Sequence, residues 1–161
     1  MRRVLWTGFA IVGAVLVETA LGYLAPAAGR LLDPFLLVVA YCALSGGEAH
    51  GMLAGAAAGW VQDALFGGRV LGIAALSKLL LGFVLGLAGG RFLISSVAAR
   101  ALTVFLAALA DGLFVPWLAS VFALEVLPQG PLVLLGRAAL NALVAGALYA
   151  VVERRRQRGL V

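Results

Sequence analysis

Gly51, Gly55, Gly59 and Asp63 follow one another at four-residue spacing along one apolar stretch, and Lys78, Gly82, Gly86 and Gly90 do the same along the next. In helices, residues four apart lie nearly above one another, so each stretch carries a glycine stripe that ends in one ion. The short loop Leu65-Phe66-Gly67-Gly68-Arg69 folds the two stretches back on each other, with both ions at the same end of an antiparallel pair. Glycine weakens a helix in water. Between helices in lipid it lets the backbones approach closely, where dispersion holds them. The pattern predicts a membrane packing seam made by Gly51, Gly55, Gly59, Gly82, Gly86 and Gly90.

Composition leaves no other class open. With 64% hydrophobic residues and 12% charged ones, the chain has too little polar surface to coat a soluble domain of 161 residues. Apolar runs fall at residues 4–28, 31–45, 49–66, 70–88, 97–122 and 132–152, followed by a basic tail at 153–161. The expected fold is therefore all-α: one integral membrane domain covering residues 1–161, with six helices in a compact bundle. The breaks sit at Pro26, Asp33-Pro34, Gly46-Gly47, Gly67-Gly68, Gly89-Gly90-Arg91 and Pro128-Gln129-Gly130-Pro131, all helix-stopping or turn-forming combinations. The second run is short for a full crossing. It either spans or forms a re-entrant pair with the third.

The net charge of +5 raises nucleic acid as a partner, but the basic residues sit at segment ends rather than on a soluble face with interleaved aromatics. Arg2, Arg3, Arg91, Arg100, Arg154, Arg155, Arg156 and Arg158 fall on one side, and Arg30 and Arg69 on the other. This bias places both termini in the cytoplasm. The terminal arginine cluster can also hold anionic lipid headgroups. Met1-Arg2-Arg3 and the run after it have the outline of a secretory signal. The run is too long for one and contains Glu18, so a retained first helix is expected. Trp6, Tyr23, Trp60, Trp117 and Tyr149 read as interfacial anchors, and His50 as a solvated turn residue. Cys42 is the single cysteine, which excludes an intramolecular disulfide and, with one histidine, a cysteine and histidine zinc site.

Glu18, Asp63, Lys78, Asp111 and Arg137 lie inside the predicted spans. A charge at the bilayer centre costs about 2.5–3.5 kcal/mol on insertion scales, so these side chains should face inward and pair. At a rise of about 1.5 Å per residue all five fall in the outer half of the membrane. The expected pairs are Asp63 with Lys78 across the seam and Asp111 with Arg137 across the last two spans, with Glu18 left for whichever cation it reaches. The layer is either a structural network or the lining of a binding cavity or proton path. Gln62 and Asn141 add hydrogen-bonding capacity beside it. An acid pair such as Asp63 with Asp111 could in principle hydrolyse a bond. Neither residue sits in a catalytic motif, and the motifs of zinc proteases, serine hydrolases and P-loops are missing from the chain.

Asp33-Pro34-Phe35-Leu36-Leu37, Gly51, Gly55, Gly59, Gln62-Asp63, Leu71-Gly72, Ala75-Leu76, Lys78, Gly82 and Gly86 together resemble the rod shape-determining protein MreD family. The resemblance covers about residues 33–90; outside it only length, hydrophobicity and the basic tail are similar. It implies a non-enzymatic component of the bacterial inner membrane, without catalytic, cofactor or metal residues, that partners the single-span protein MreC. The MreB filament, the RodA glycosyltransferase and a class B penicillin-binding protein would be nearby. The sixth run offers a small-residue face, Ala138, Ala142 and Gly146, suited to docking a partner helix. A reading from another class is a six-helix substrate-binding subunit of a vitamin transporter of the ECF type, in which the five ionisable residues would contact substrate.

Overall fold

The computed structural model describes residues 2–66, 72–91, 96–123 and 129–157. They form α1 (Arg2–Leu24), α2 (Pro26–Gly29), α3 (Pro34–Gly46), α4 (Glu48–Leu65), α5 (Ile73–Arg91), α6 (Val97–Val121) and α7 (Pro131–Gln157). The all-α membrane fold expected from the sequence is thus the observed one. The loop at 67–71, the turn residue Pro128 and the end of the basic tail lie outside the described residues.

The expected count of about six is approximate. Among the described residues four helices, α1, α5, α6 and α7, are long and apolar enough to cross a bilayer. Helix α3 has 13 residues, which at 1.5 Å per residue is about 20 Å against a hydrocarbon core of about 30 Å. Its start is set by local chemistry. Asp33 caps it by accepting from the Leu36 amide at 2.9 Å, and Pro34 occupies the first turn, where its missing N–H costs nothing. The first predicted run also divides, because Pro26 ends α1 at Leu24 and opens the single turn α2.

Helices α3 and α4 are joined by Gly47 alone, at φ +82°, a conformation that a side chain would strain. The short α3 is the centre of the bundle, touching α1, α4, α5 and α6. On one side Phe35 and Val39 pack with Ile11, Ala14 and Ala58. On the other, Leu36, Ala40 and Ala43 join Leu85, Val104, Ala107, Ala138 and Ala145. Helices α6 and α7 form a second antiparallel pair, in which Gly112 leaves room for Leu134.

The closest packing in the molecule is between α4 and α5. A Cβ placed on Gly51 would meet the Gly82 carbonyl, on Gly55 the Lys78 carbonyl, and on Gly59 the Ala74 carbonyl and Ala75 Cα. From the other side, Gly82 would meet Gly51 and Gly86 would meet Glu48. These obstacles are backbone atoms, which cannot swing aside. Gly90 departs from the expected seam, since a Cβ there would meet nothing within 4 Å. Gly89 approaches Leu44 of α3 instead.

Some expectations for single residues also change. His50 is not a solvated turn residue: it lies in the first turn of α4, and its Nε2 is 3.2 Å from Thr7 Oγ1 on α1. Tyr149 is not an anchor but is buried against Tyr41, with ring centroids 6.0 Å apart and the Arg100 guanidinium over its ring. Trp6, Tyr23, Trp60 and Trp117 are exposed on the outside of the bundle.

Candidate functional site

Four charged side chains from four helices meet in a closed ring. Asp33 comes from the N-cap of α3, Lys78 from the second turn of α5, Asp111 from the middle of α6 and Arg137 from the second turn of α7. Lys78 Nζ donates to Asp33 Oδ2 at 2.9 Å and lies 3.8 Å from Asp111 Oδ1. Arg137 Nη2 donates to Asp33 Oδ2 at 2.9 Å and to Asp111 Oδ2 at 2.8 Å. The remaining acceptors are taken too. Asp33 Oδ1 accepts from the Leu36 amide, and Asp111 Oδ1 from Ser77 Oγ at 2.7 Å. Positive and negative charge balance within the ring, and each carboxylate oxygen has a donor.

Burial makes this balance necessary. Asp33, Lys78 and Asp111 are 3%, 1% and 1% exposed, and an unpaired ion in such a place costs several kcal/mol or more. The ring is braced by Asn141, one turn along α7 from Arg137. Its Oδ1 accepts from the Asp33 amide at 3.0 Å, while its Nδ2 donates to the Leu31 and Arg137 carbonyls. The N-terminus of α3 points into the ring, so its dipole adds to the field that holds Asp33.

Asp33 is the member that the sequence reading left out. It is placed at this depth because α3 begins inside the bundle, after the α1–α2 hairpin has turned. The Asp-Pro pair before an apolar run was the available signal, since it marks an N-cap as well as a turn.

The expected pair of Asp63 with Lys78 does not form. Asp63 instead accepts from the backbone amides of Gly72 at 2.9 Å, Ala74 at 3.2 Å and Ala75 at 3.0 Å, closing the N-terminus of α5 from the last turn of α4. Gly72, at φ +110°, turns its amide towards that carboxylate. The donors left over at a helix start and the positive end of its dipole stabilise an anion there without a lysine. Asp111 with Arg137 is present, as one side of the larger ring. Asp63 and Asp111 have separate partners.

Glu18 joins no cation. It bonds to no described residue, and its Oε2 is sealed without a hydrogen-bond partner, as is Gln62 Oε1. On α7, Ala138 is fully buried in the core, which removes it from the expected docking face. Ala142 and Gly146 remain half-buried, Gly146 facing Ala101 of α6. Among the described residues no group of three or more His, Cys, Asp or Glu side chains is placed to hold a metal ion.

Chemically, a saturated and neutral ring inside a glycine-sealed bundle locks helices together and leaves no free acid or base among its four members. The seam and two ring members, Asp33 and Lys78, fall on the stretch that carries the family resemblance, and Asp111 and Arg137 lie beyond it. No curated protein and no solved structure matches the chain. The model of the family described as rod shape-determining protein MreD matches residues 4–155, nearly the whole length. The chain belongs to the MreD family, and is a rod shape-determining, multi-pass protein of the bacterial inner membrane.

Proposed function

We propose that this protein is a non-enzymatic scaffold subunit of the cell-elongation machinery, which docks MreC and so helps to organise peptidoglycan synthesis. The observation that carries the reading is the saturation of the ring. Every carboxylate oxygen of Asp33 and Asp111 is engaged with a partner from its own chain, an arrangement suited to rigidity rather than to binding substrate or moving protons. Family membership supplies the setting, a membrane protein with protein partners in the rod-shape system. RodA, a class B penicillin-binding protein and MreB are the wider set of partners. The arginine distribution favours cytoplasmic termini, which puts the ring in the outer half of the bilayer.

The docking face we assign is the half-buried edge of α7 at Ala142, where a small side chain lets a single partner helix come close, beside Gly146 at the contact with α6. Replacing Ala142 with leucine in the tagged full chain should lower recovery of co-expressed MreC about tenfold at unchanged membrane levels of the chain, a change of about 1.4 kcal/mol. Unchanged recovery would place the contact elsewhere.

A further inference from the structure

Among the described acids inside the predicted spans, Glu18 is the one without a partner. Asp33 and Asp111 are matched by Lys78 and Arg137, and Asp63 is held by the start of α5. Glu18 forms no hydrogen bond or ion pair with a described residue, although one of its oxygens is sealed from solvent. It lines a cleft of about 510 Å³ between the second half of α1, α2 and Phe66 at the end of α4, shared with Thr19, Gly22, Tyr23, Pro26 and Arg30. Arg30 is exposed at this cleft and likewise has no hydrogen-bond or ion-pair partner among the described residues. The space beside Gly22 is open: a Cβ there would meet nothing within 4 Å.

An unpaired carboxylate deep in a membrane cleft, with an unpaired guanidinium on the same cleft, forms an acid and base couple. We propose that the cleft seats the headgroup of an aminophospholipid, whose ammonium donates to Glu18 while Arg30 donates to its phosphate. A primary ammonium has three N–H donors for the carboxylate; a trimethylammonium has none, and a glycerol headgroup brings no cation. A lone basic side chain from a protein partner would satisfy Glu18 but be opposed by Arg30. The site stands apart from the ring and from the α7 docking edge. Its leaflet, the outer one, follows from the orientation proposed above.

The test is native mass spectrometry of the purified full chain with equimolar phosphatidylethanolamine, phosphatidylcholine and phosphatidylglycerol of identical acyl chains. The expected result is retention of phosphatidylethanolamine over phosphatidylcholine by about tenfold, the scale of one charge-assisted hydrogen bond. Glu18→Gln should bring that ratio to about one. Neutralising an unpaired intramembrane charge does not threaten folding. Gly22→Leu, which fills the cleft without touching either charge, should do the same. Arg30→Gln should weaken all three lipids together, because each carries a phosphate. No ethanolamine preference in the unaltered chain, preference for phosphatidylglycerol, or a preference that survives either Glu18→Gln or Gly22→Leu would overturn the proposal.

Discussion

Asp33 and Lys78, 45 residues apart in sequence, meet at 2.9 Å inside the bundle, and Arg137 reaches the same carboxylate oxygen from α7. One acceptor atom thus ties the start of α3 to two other helices. Asp111 closes the ring on the far side, so that α3, α5, α6 and α7 share a single electrostatic joint.

Lys78→Met should destabilise the protein by about 3–5 kcal/mol, because two buried carboxylates would then share one arginine. Asp33→Asn combined with Lys78→Met should cost less than the sum of the two single changes, since charge balance is restored. Unfolding by SDS titration in mixed micelles measures both; additive costs would mean that the two charges do not interact.

Asp63→Ala should cost about 1–2 kcal/mol through loss of the cap on α5. Its effect should add to that of Lys78→Met within about 0.5 kcal/mol in the same titration, because the two residues have different partners. A strong coupling would restore the direct pair that the sequence suggests.

Gly55→Ala should destabilise the bundle by about 1–3 kcal/mol, since the new methyl group would push against the Lys78 carbonyl. Gly90→Ala should be neutral or stabilising by up to about 1 kcal/mol, because the site is open and alanine favours the helix. Equal effects at the two positions would show that the seam is not where the fit is tight.

Asn141→Leu should cost about 1–3 kcal/mol for each group left without its partner, namely the Asp33 amide and the Leu31 carbonyl. Hydrogen exchange should also speed up at the start of α3 and leave the α4–α5 seam protected. Uniform loss of protection would make Asn141 a general core residue rather than a brace for Asp33.

The glycine ladder shows how much could be read in advance. Four-residue spacing is a local property, so the stripe from Gly51 to Gly59, its partners Gly82 and Gly86, and the helices that carry them follow from the chain itself. The membrane setting follows equally from apolar runs too long and too frequent for a soluble core. The presence of buried ions was legible for the same reason, because a charge in such a run has to turn inward.

Their partners were not legible. Depth counted along straight, full-length spans brings Asp63 within reach of the Lys78 stem, whereas Asp63 bonds the backbone at the start of the next helix and Lys78 reaches over to α3. The sequence by itself determined helices, lipid, seam and the existence of a polar interior, since these depend on periodicity and on the cost of charge in oil. The tertiary structure decided that α3 starts inside the bundle, which carries Asp33 into the ring and leaves Glu18 outside it. Ion pairing depends on where chain segments end in three dimensions, and that is fixed by the packing of all the helices together.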